Sequence, residues 1–299
     1  MNRKRYALLA IISFVALFAS TLYTQSTSQL TGPYLGQKPP GDTAVLFAVN
    51  YLGGDLHSGP VFSSDGREVF WSPLEGSTGH ILTARMTDTG WSHPREIKFP
   101  TGPPNSSEPC LSPDGTRLFF LSQESAATDY RENIWVATRE NDGWGAPRPV
   151  SPLIYALDTH WQISVAGNGN LYFLGRSKGG GDIYVSTFVD GTYQEPVALG
   201  CAINSEHGEG SPFIAPDESY LIFSRVDRSS SRKSELFISF HTTNGTWTEA
   251  KSMDKLNRDG VHELCPTVSR DGKYLFFLRN TPDGLSPHWV SASIINEYR

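Results

Sequence analysis

Short runs of alternating apolar and polar residues follow one another along most of the chain, and they are copies of one pattern. Each copy has a short run ending in proline or β-branched residues, then a tight turn, then a run of aromatic and aliphatic residues. SEPCLSPDGTRLFFLS from Ser107 and ELCPTVSRDGKYLFFLR from Glu263 are two copies. The turn residues are Gly66, Gly115, Gly169, Glu218 and Gly272. They recur with a period of roughly 50 residues, which is typical of repeat architectures.

Each copy continues with a third apolar run, and most copies add a fourth that begins with glycine and an aromatic residue. The third runs are HILTA, NIWVA, DIYVS, ELFIS and HWVSA, and the aromatic residues of the fourth are Trp91, Trp144, Tyr193 and Trp247. Four short strands per unit, separated by Asp-Gly and Asn-Gly turns, are typical of a propeller blade. The sequence therefore predicts an all-β, five-bladed β-propeller of four-stranded antiparallel blades, with six blades as the alternative.

The fifth copy ends after its third strand, at the carboxyl end of the chain. The missing outer strand is predicted at the other end, where Thr43 to Ala48 stands in the place of a fourth strand. Pairing the two ends closes the ring and removes the unpaired edge that an incomplete blade exposes.

The runs SPDGTRLFF, APDESYLIFS and SRDGKYLFF, each followed by an apolar third strand, resemble the TolB-type, WD-like repeats of bacterial envelope proteins. The resemblance covers about residues 40–299. It implies the fold, but not the function, because such repeats serve as binding platforms, as lyases and as accessory domains of peptidases. TolB itself has a separate domain before its propeller, whereas residues 27–39 predict only a linker here.

The amino terminus predicts export. Basic residues at Arg3–Arg5 precede an apolar run from Tyr6, and a polar stretch follows, which is the pattern of a signal peptide over residues 1–26 or of an uncleaved anchor. Either alternative places the propeller, residues 40–299, in the periplasm or outside the cell. A membrane contact is expected only through that anchor.

The composition and charge of the chain indicate its fold class and make one class of partner unexpected. The chain has 28 Gly, 20 Pro and a net charge of −6, with no basic stripe. A turn-rich β-protein that does not bind nucleic acid is therefore expected, and we expect it to be a monomer. The three cysteines are an odd number for an exported chain. We expect them to be buried apolar residues, with no direct bridge between Cys110 and Cys265.

Candidate site residues come from the start of the inner strands, which line the channel of a propeller. We aligned the copies on Pro60, Pro109, Ile163, Pro212 and Pro266. Three positions earlier stand His57, Ser106, His160, Glu209 and Glu263. Glu108 lies next to its proline, Trp161 next to His160, and Arg176, Arg225 and Arg279 open the loops expected on the same face.

Two functions fit this set. The favoured hypothesis is a binding or scaffold protein without catalysis or cofactor, whose channel face takes a peptide, an oligosaccharide or an envelope protein. The alternative is a carbohydrate-active enzyme, such as a lyase acting on an acidic polysaccharide. There His57 and His160 are metal ligands or the base, and Glu209 and Glu263 are ligands or the acid. The arginine residues then neutralise substrate carboxylates, and a divalent metal lies at the channel mouth.

Overall fold

The computed structural model of the chain describes residues 30–74, 79–123, 132–141, 143–177, 180–226 and 233–299, with the backbone alone at residues 123, 158–160, 177 and 180. The expected signal segment, residues 1–26, lies outside the described part. No helix in that part is long and apolar enough to cross a membrane.

Five antiparallel blades form the ring, as the sequence predicts, and the alternative of six is excluded. The outer strand of the last blade, β1, is Val45–Leu46. Blade 1 contains β2 (Leu56–Phe62), β3 (Glu68–Pro73), β4 (Leu82–Thr87), β5 (Gly90–Trp91) and β6 (Arg95–Glu96). Blade 2 contains β7 (Ser107–Leu111), β8 (Arg117–Gln123), β9 (Glu132–Glu140), β10 (Gly143–Trp144) and β11 (Arg148–Pro149).

Blade 3 contains β12 (Asp158–Val165), β13 (Leu171–Ser177), β14 (Gly180–Ser186), β15 (Phe188–Val189), β16 (Thr192–Tyr193) and β17 (Val197–Ala198). Blade 4 contains β18 (Gly208–Ile214), β19 (Tyr220–Val226), β20 (Ser234–Phe240) and β21 (Lys251–Ser252). Blade 5 contains β22 (Glu263–Val268), β23 (Tyr274–Thr281) and β24 (Gly284–Ser291). The short helices are α1 (Val49–Leu52), α2 (Pro152–Tyr155) and two 3₁₀ turns, Tyr34–Gly36 and Ala292–Tyr298.

The ring closes where the sequence predicts it. Strand β1 pairs antiparallel with β24, with Val45 opposite Trp289 and Leu46 opposite His288. The N–H of Phe47 extends this ladder by donating to the carbonyl of Pro287 at 2.9 Å. Blade 5 is therefore built from both ends of the chain.

The core lies between the blades. Five apolar clusters in the described chain each join two neighbouring blades. This arrangement follows from the repeat. The second strand of each blade carries large apolar residues on both faces, and each face must be covered by a neighbouring sheet.

The segment before β1, expected to be a linker, packs against the ring from Leu30 onward. Tyr34 and Leu35 are buried, and the Tyr34 ring makes edge contacts with Phe62 and Tyr274, both at 5.0 Å between centroids. The indole N–H of Trp91 donates to the carbonyl of Gly32 at 2.8 Å. This segment is thus a wedge between blades 1 and 5.

A β-bulge interrupts every inner strand at the same level. The register shifts between Ser58 and Val61 in β2, and equivalent shifts occur in β7, β12, β18 and β22. In four blades the first bulge residue adopts the left-handed conformation: Glu108, Trp161, Ser211 and Cys265. A bulge adds one residue to a strand and so reverses the faces on which the following side chains lie.

The strand pairing around the bulge of blade 3 shows that the alignment on Ile163 is wrong by one residue. Ile163 pairs with Phe173 as Phe213 pairs with Ile222, so Ile163 is equivalent to Phe213 and not to Pro212. Gln162 therefore takes the place of the proline in this blade. Consequently His160 is not equivalent to Glu209. Asp158 occupies that position, because it lies opposite Arg176 as Glu209 lies opposite Arg225.

Candidate functional site

One end of the channel opens into a cavity of about 720 Å³, which we call the cup. Its wall is largely apolar, and the apolar side chains that line it are Leu74, Leu174, Val226, Leu264 and Leu285. Trp161 lines the cup too and leaves 48% of its surface exposed. Serine, histidine and asparagine side chains supply polar groups between them. A concave, mostly apolar cavity with a few polar groups is typical of a ligand site.

Bulge residues form the floor of the cup. The side-chain N–H of Gln162 donates to the Pro266 carbonyl at 2.7 Å, and its backbone N–H donates to the Glu108 carboxylate. The Ser211 hydroxyl lies 3.7 Å from the Cys265 sulfur. Because these contacts join four different blades, the side chains fill the channel at this level, and a cavity of only about 30 Å³ lies on their other side.

The most unusual group in the floor is Glu108. Its side chain is 1% exposed, and one carboxylate oxygen lies 3.3 Å from Nδ1 of His57, which faces the cup. Burial raises the pKa of Glu108 well above its ordinary value, and the nearby Glu132 carboxyl adds to the effect. The protonated form of Glu108 is therefore favoured in the folded state.

We expect Glu108→Gln to increase the free energy of unfolding at neutral pH by about 1–3 kcal/mol, because the amide is neutral in the interior without taking up a proton. A carboxyl whose pKa is raised by folding stabilises the fold below its ordinary pKa of 4.5, and that contribution is lost as the pH rises toward the folded-state pKa. The gain should therefore shrink at lower pH. Urea denaturation across this range measures it, with the exposed Glu235→Gln as control. A loss of stability at neutral pH contradicts the expectation.

Glu209 and Glu263, expected to face the channel opening, are held within their blades. Glu209 accepts from Nε of Arg225 at 2.8 Å and from the Ser205 hydroxyl at 2.6 Å. Glu263 accepts from Nε of Arg279 at 2.8 Å. Each pair is directly opposite in the strand ladder, so each carboxylate is held by an arginine of its own blade.

The two arginine residues also anchor loops. Arg225 donates to the Ile203 carbonyl at 2.9 Å, and Arg279 donates to the Leu256 carbonyl at 2.6 Å. Arg279 is 3% exposed. Arg279 thus belongs to a buried ion pair and Arg225 to a partly buried one, and both guanidinium groups are held by contacts within the protein. Arg176 is exposed, and its backbone pairs with Asp158 in blade 3.

Of the expected site residues, His57, Trp161 and Glu209 contribute to the cup wall. The backbone of His160 pairs with Leu174, and its side chain lies outside the described part. The sequence reasoning missed the leucine residues of the wall. Their signal was present, since Leu74 and Leu285 are apolar residues in otherwise polar stretches of the sequence, with Leu74 directly after β3 and Leu285 in β24.

Neither a metal centre nor an activated thiol is found in the described residues. They include no group of three or more histidine, cysteine, aspartate or glutamate side chains that could hold a metal ion. Cys110, Cys201 and Cys265 are free. Cys110 and Cys265 are buried as expected, whereas Cys201 is exposed, contrary to the expectation. Burial raises the pKa of the Cys265 thiol, and the Glu108 carboxyl adds to the effect, so the thiolate is disfavoured.

No protein-family model and no curated protein sequence matches the chain. Solved structures do match in fold. A protein described as a putative TolB from Agrobacterium tumefaciens is 16% identical, with a TM-score of 0.52, over 76% of this chain and 70% of that one. An endo-arabinase from Bacteroides thetaiotaomicron is 15% identical, with a TM-score of 0.53, over 79% and 93%.

An α-L-arabinofuranosidase from Podospora anserina, solved in complex with cellotriose, is 12% identical, with a TM-score of 0.51, over 84% of this chain and 93% of that one. At these identities the comparisons show the fold alone. The chain is a five-bladed β-propeller with distant structural similarity to TolB-like and other propellers. Proteins of different functions share this fold.

Proposed function

We propose that the protein is an exported binding propeller, periplasmic or extracellular and monomeric, that holds a segment of a peptide or envelope protein in the cup. The observation that carries the proposal is the cup itself, a cavity of about 720 Å³ with an apolar wall and a filled floor. It is large enough for several apolar side chains, and burying them supplies the binding free energy.

The chemistry of the wall favours a peptide over a glycan. Sugar hydroxyls need many hydrogen-bonding partners, whereas the wall offers mostly leucine side chains and one half-exposed indole, Trp161. The polar groups between them, such as Ser234 and Asn280, suit the backbone amides of an extended segment. A glycan that stacks on Trp161 is the rival occupant, and the experiment below distinguishes the two.

The described residues give little support to the alternative function, a carbohydrate-active enzyme. A lyase or glycosidase needs carboxylates that are free to move protons, but Glu209 and Glu263 accept from arginine at 2.8 Å. The His57–Glu108 pair places an imidazole against a carboxyl, but the Glu108 side chain is only 1% exposed, so a substrate in the cup has little access to it. Binding without turnover is the function that this arrangement favours.

Calorimetric titration tests the proposal with a short peptide whose core is Leu-Phe-Leu, the same peptide with serine in those positions, and neutral and acidic oligosaccharides. We expect saturable binding of the first peptide alone. Binding of an oligosaccharide alone overturns the choice of a peptide, and no binding of any of them overturns the proposal. Mass spectrometry of the mixtures must show every compound intact, since cleavage contradicts a purely binding role.

Leu74→Asp should weaken binding of the Leu-Phe-Leu peptide at least about tenfold, because it places a charge in an apolar wall. Leu74 is 47% exposed in the absence of ligand, so the fold should tolerate the change. The matched control is Leu153→Asp, at a leucine that is 41% exposed and does not line the cup. Equal effects of the two variants would contradict binding in the cup.

A further inference from the structure

A second cavity lies at the junction of blades 2 and 3, away from the cup. It measures about 270 Å³, and we call it the inter-blade cleft. Residues of β8, β9 and β11 form one side, and residues of β15 and β16 form the other. Its lining contains two arginine residues, Arg117 and Arg148, and neither an aspartate nor a glutamate.

The corresponding junction of blades 1 and 2 contains an acidic residue that the inter-blade cleft lacks. Glu68 and Arg117 hold the same place, two residues after the turn glycine of their blades. In blade 1, Glu68 accepts from Arg85 of its own blade and from Arg139 of blade 2, each at 2.7 Å, so a carboxylate lies between the cations at that junction. In blade 2 the place holds a cation, and Phe188 of blade 3 takes the position of Arg139. No described carboxylate forms an ion pair with Arg117 or Arg148, so the described residues leave the positive charge of the inter-blade cleft uncompensated.

A buried hydroxyl adds a hydrogen-bond donor. Tyr193 lines the cleft and is 6% exposed, and its hydroxyl has no hydrogen-bond partner in the described structure. Burial raises the pKa of Tyr193 to about 12, although the nearby Arg117 and Arg148 oppose the shift. The hydroxyl therefore keeps its proton at neutral pH. A buried polar group without a partner is costly, and a ligand oxygen at this place relieves that cost.

The remaining walls are apolar. Phe188, Val136 and Val150 line the cleft, and the Arg117 guanidinium lies over the rings of Phe119 and Phe188, at 5.5 Å from each centroid. Arg117 is thereby held in place by its own side-chain packing. A ligand here meets positive charge, a hydroxyl donor and an apolar surface together.

We propose that the inter-blade cleft binds a small organic carboxylate. Arg117 and Arg148 hold the carboxylate, the Tyr193 hydroxyl donates to one of its oxygens, and the apolar body of the ligand packs against Phe188 and Val136. Arginine suits this role because its planar group matches the geometry of a carboxylate. The site is independent of the cup and of any peptide bound there.

Calorimetric titration of the full chain with benzoate, benzyl alcohol and inorganic phosphate tests the site. We expect saturable binding of benzoate, and binding at least about tenfold weaker for benzyl alcohol, which lacks the charge, and for phosphate, which lacks the apolar body. Equal or tighter binding of phosphate overturns the organic carboxylate as ligand. Failure of benzoate to bind overturns the site.

Arg148→Gln should weaken benzoate binding about tenfold or more, and Tyr193→Phe should weaken it without a loss of packing. The matched control is Arg95→Gln, because Arg95 is the exposed arginine at the same position of blade 1. Benzoate binding that survives Arg148→Gln and Tyr193→Phe but is lost in Trp161→Ala lies in the cup, and that result refutes the proposal.

Discussion

Glu263→Ala is expected to lower the free energy of unfolding by about 3–5 kcal/mol, the range for removing one partner of a buried ion pair. Glu263 is 0% exposed and Arg279 is 3% exposed, so the substitution leaves a guanidinium group without its carboxylate in the interior. Burial already lowers the pKa of Arg279, and the Glu263 hydrogen bond opposes that shift. Chemical denaturation of the purified variant measures the loss.

Two controls separate the buried charge from the loss of side-chain volume. The double variant Glu263→Leu with Arg279→Met should retain most of the native stability, since neither partner remains charged. Glu96→Ala removes an exposed pair with Lys98 and should change stability by less than about 1 kcal/mol. Native stability in Glu263→Ala, combined with weaker ligand binding, would show that Glu263 is a ligand group rather than a structural one.

Phe47→Ala is expected to lower the free energy of unfolding by about 3–5 kcal/mol, the range for removing a buried aromatic ring. Phe47 is fully buried, and its ring centroid lies 4.8 Å from that of Trp289 and 5.0 Å from that of Phe276. The Phe47 side chain thus packs the segment after β1 against β23 and β24 of blade 5. Thermal and urea unfolding should both show the loss.

The neighbouring Leu46→Ala is the matched control for this closure. Leu46 is the last residue of the two-residue strand β1, directly before Phe47, but is 52% exposed, so its loss should cost less than about 1 kcal/mol. If both substitutions cost the same small amount, the joint between the chain ends contributes little to stability. The pairing of β1 with β24 would then be incidental to the stability of the ring.

Most of the fold could be predicted from the sequence because the same pattern of strands and turns occurs in five copies. Turn glycines, aromatic second strands and the incomplete fifth copy were sufficient for the number of blades and the closing strand. Blade 3 was misaligned because Gln162 replaces the proline that marks the bulge elsewhere. The segment around Tyr34 was expected to be a linker because its few apolar residues show no periodicity, yet three-dimensional contacts bury it.

The site was less predictable because a bulge reverses side-chain direction. Simple alternation places Glu209 and Glu263 on the channel side, whereas the extra residue in each inner strand leaves them facing their arginine partners. Glu108 stands at the bulge itself and does reach the floor of the cup. The leucine wall is formed by strands of several blades, among them Leu174 in β13, Leu264 in β22 and Leu285 in β24, and no local pattern indicates that these residues converge.

A crystal structure of the protein with the Leu-Phe-Leu peptide tests most sharply whether the cup is the ligand site. We expect peptide density in the cup, with apolar side chains against Leu74, Leu264 and Trp161, and with the Glu263–Arg279 pair intact beside it. Peptide bound on another face with the cup empty, or peptide carboxylates drawing Arg279 away from Glu263, would contradict it.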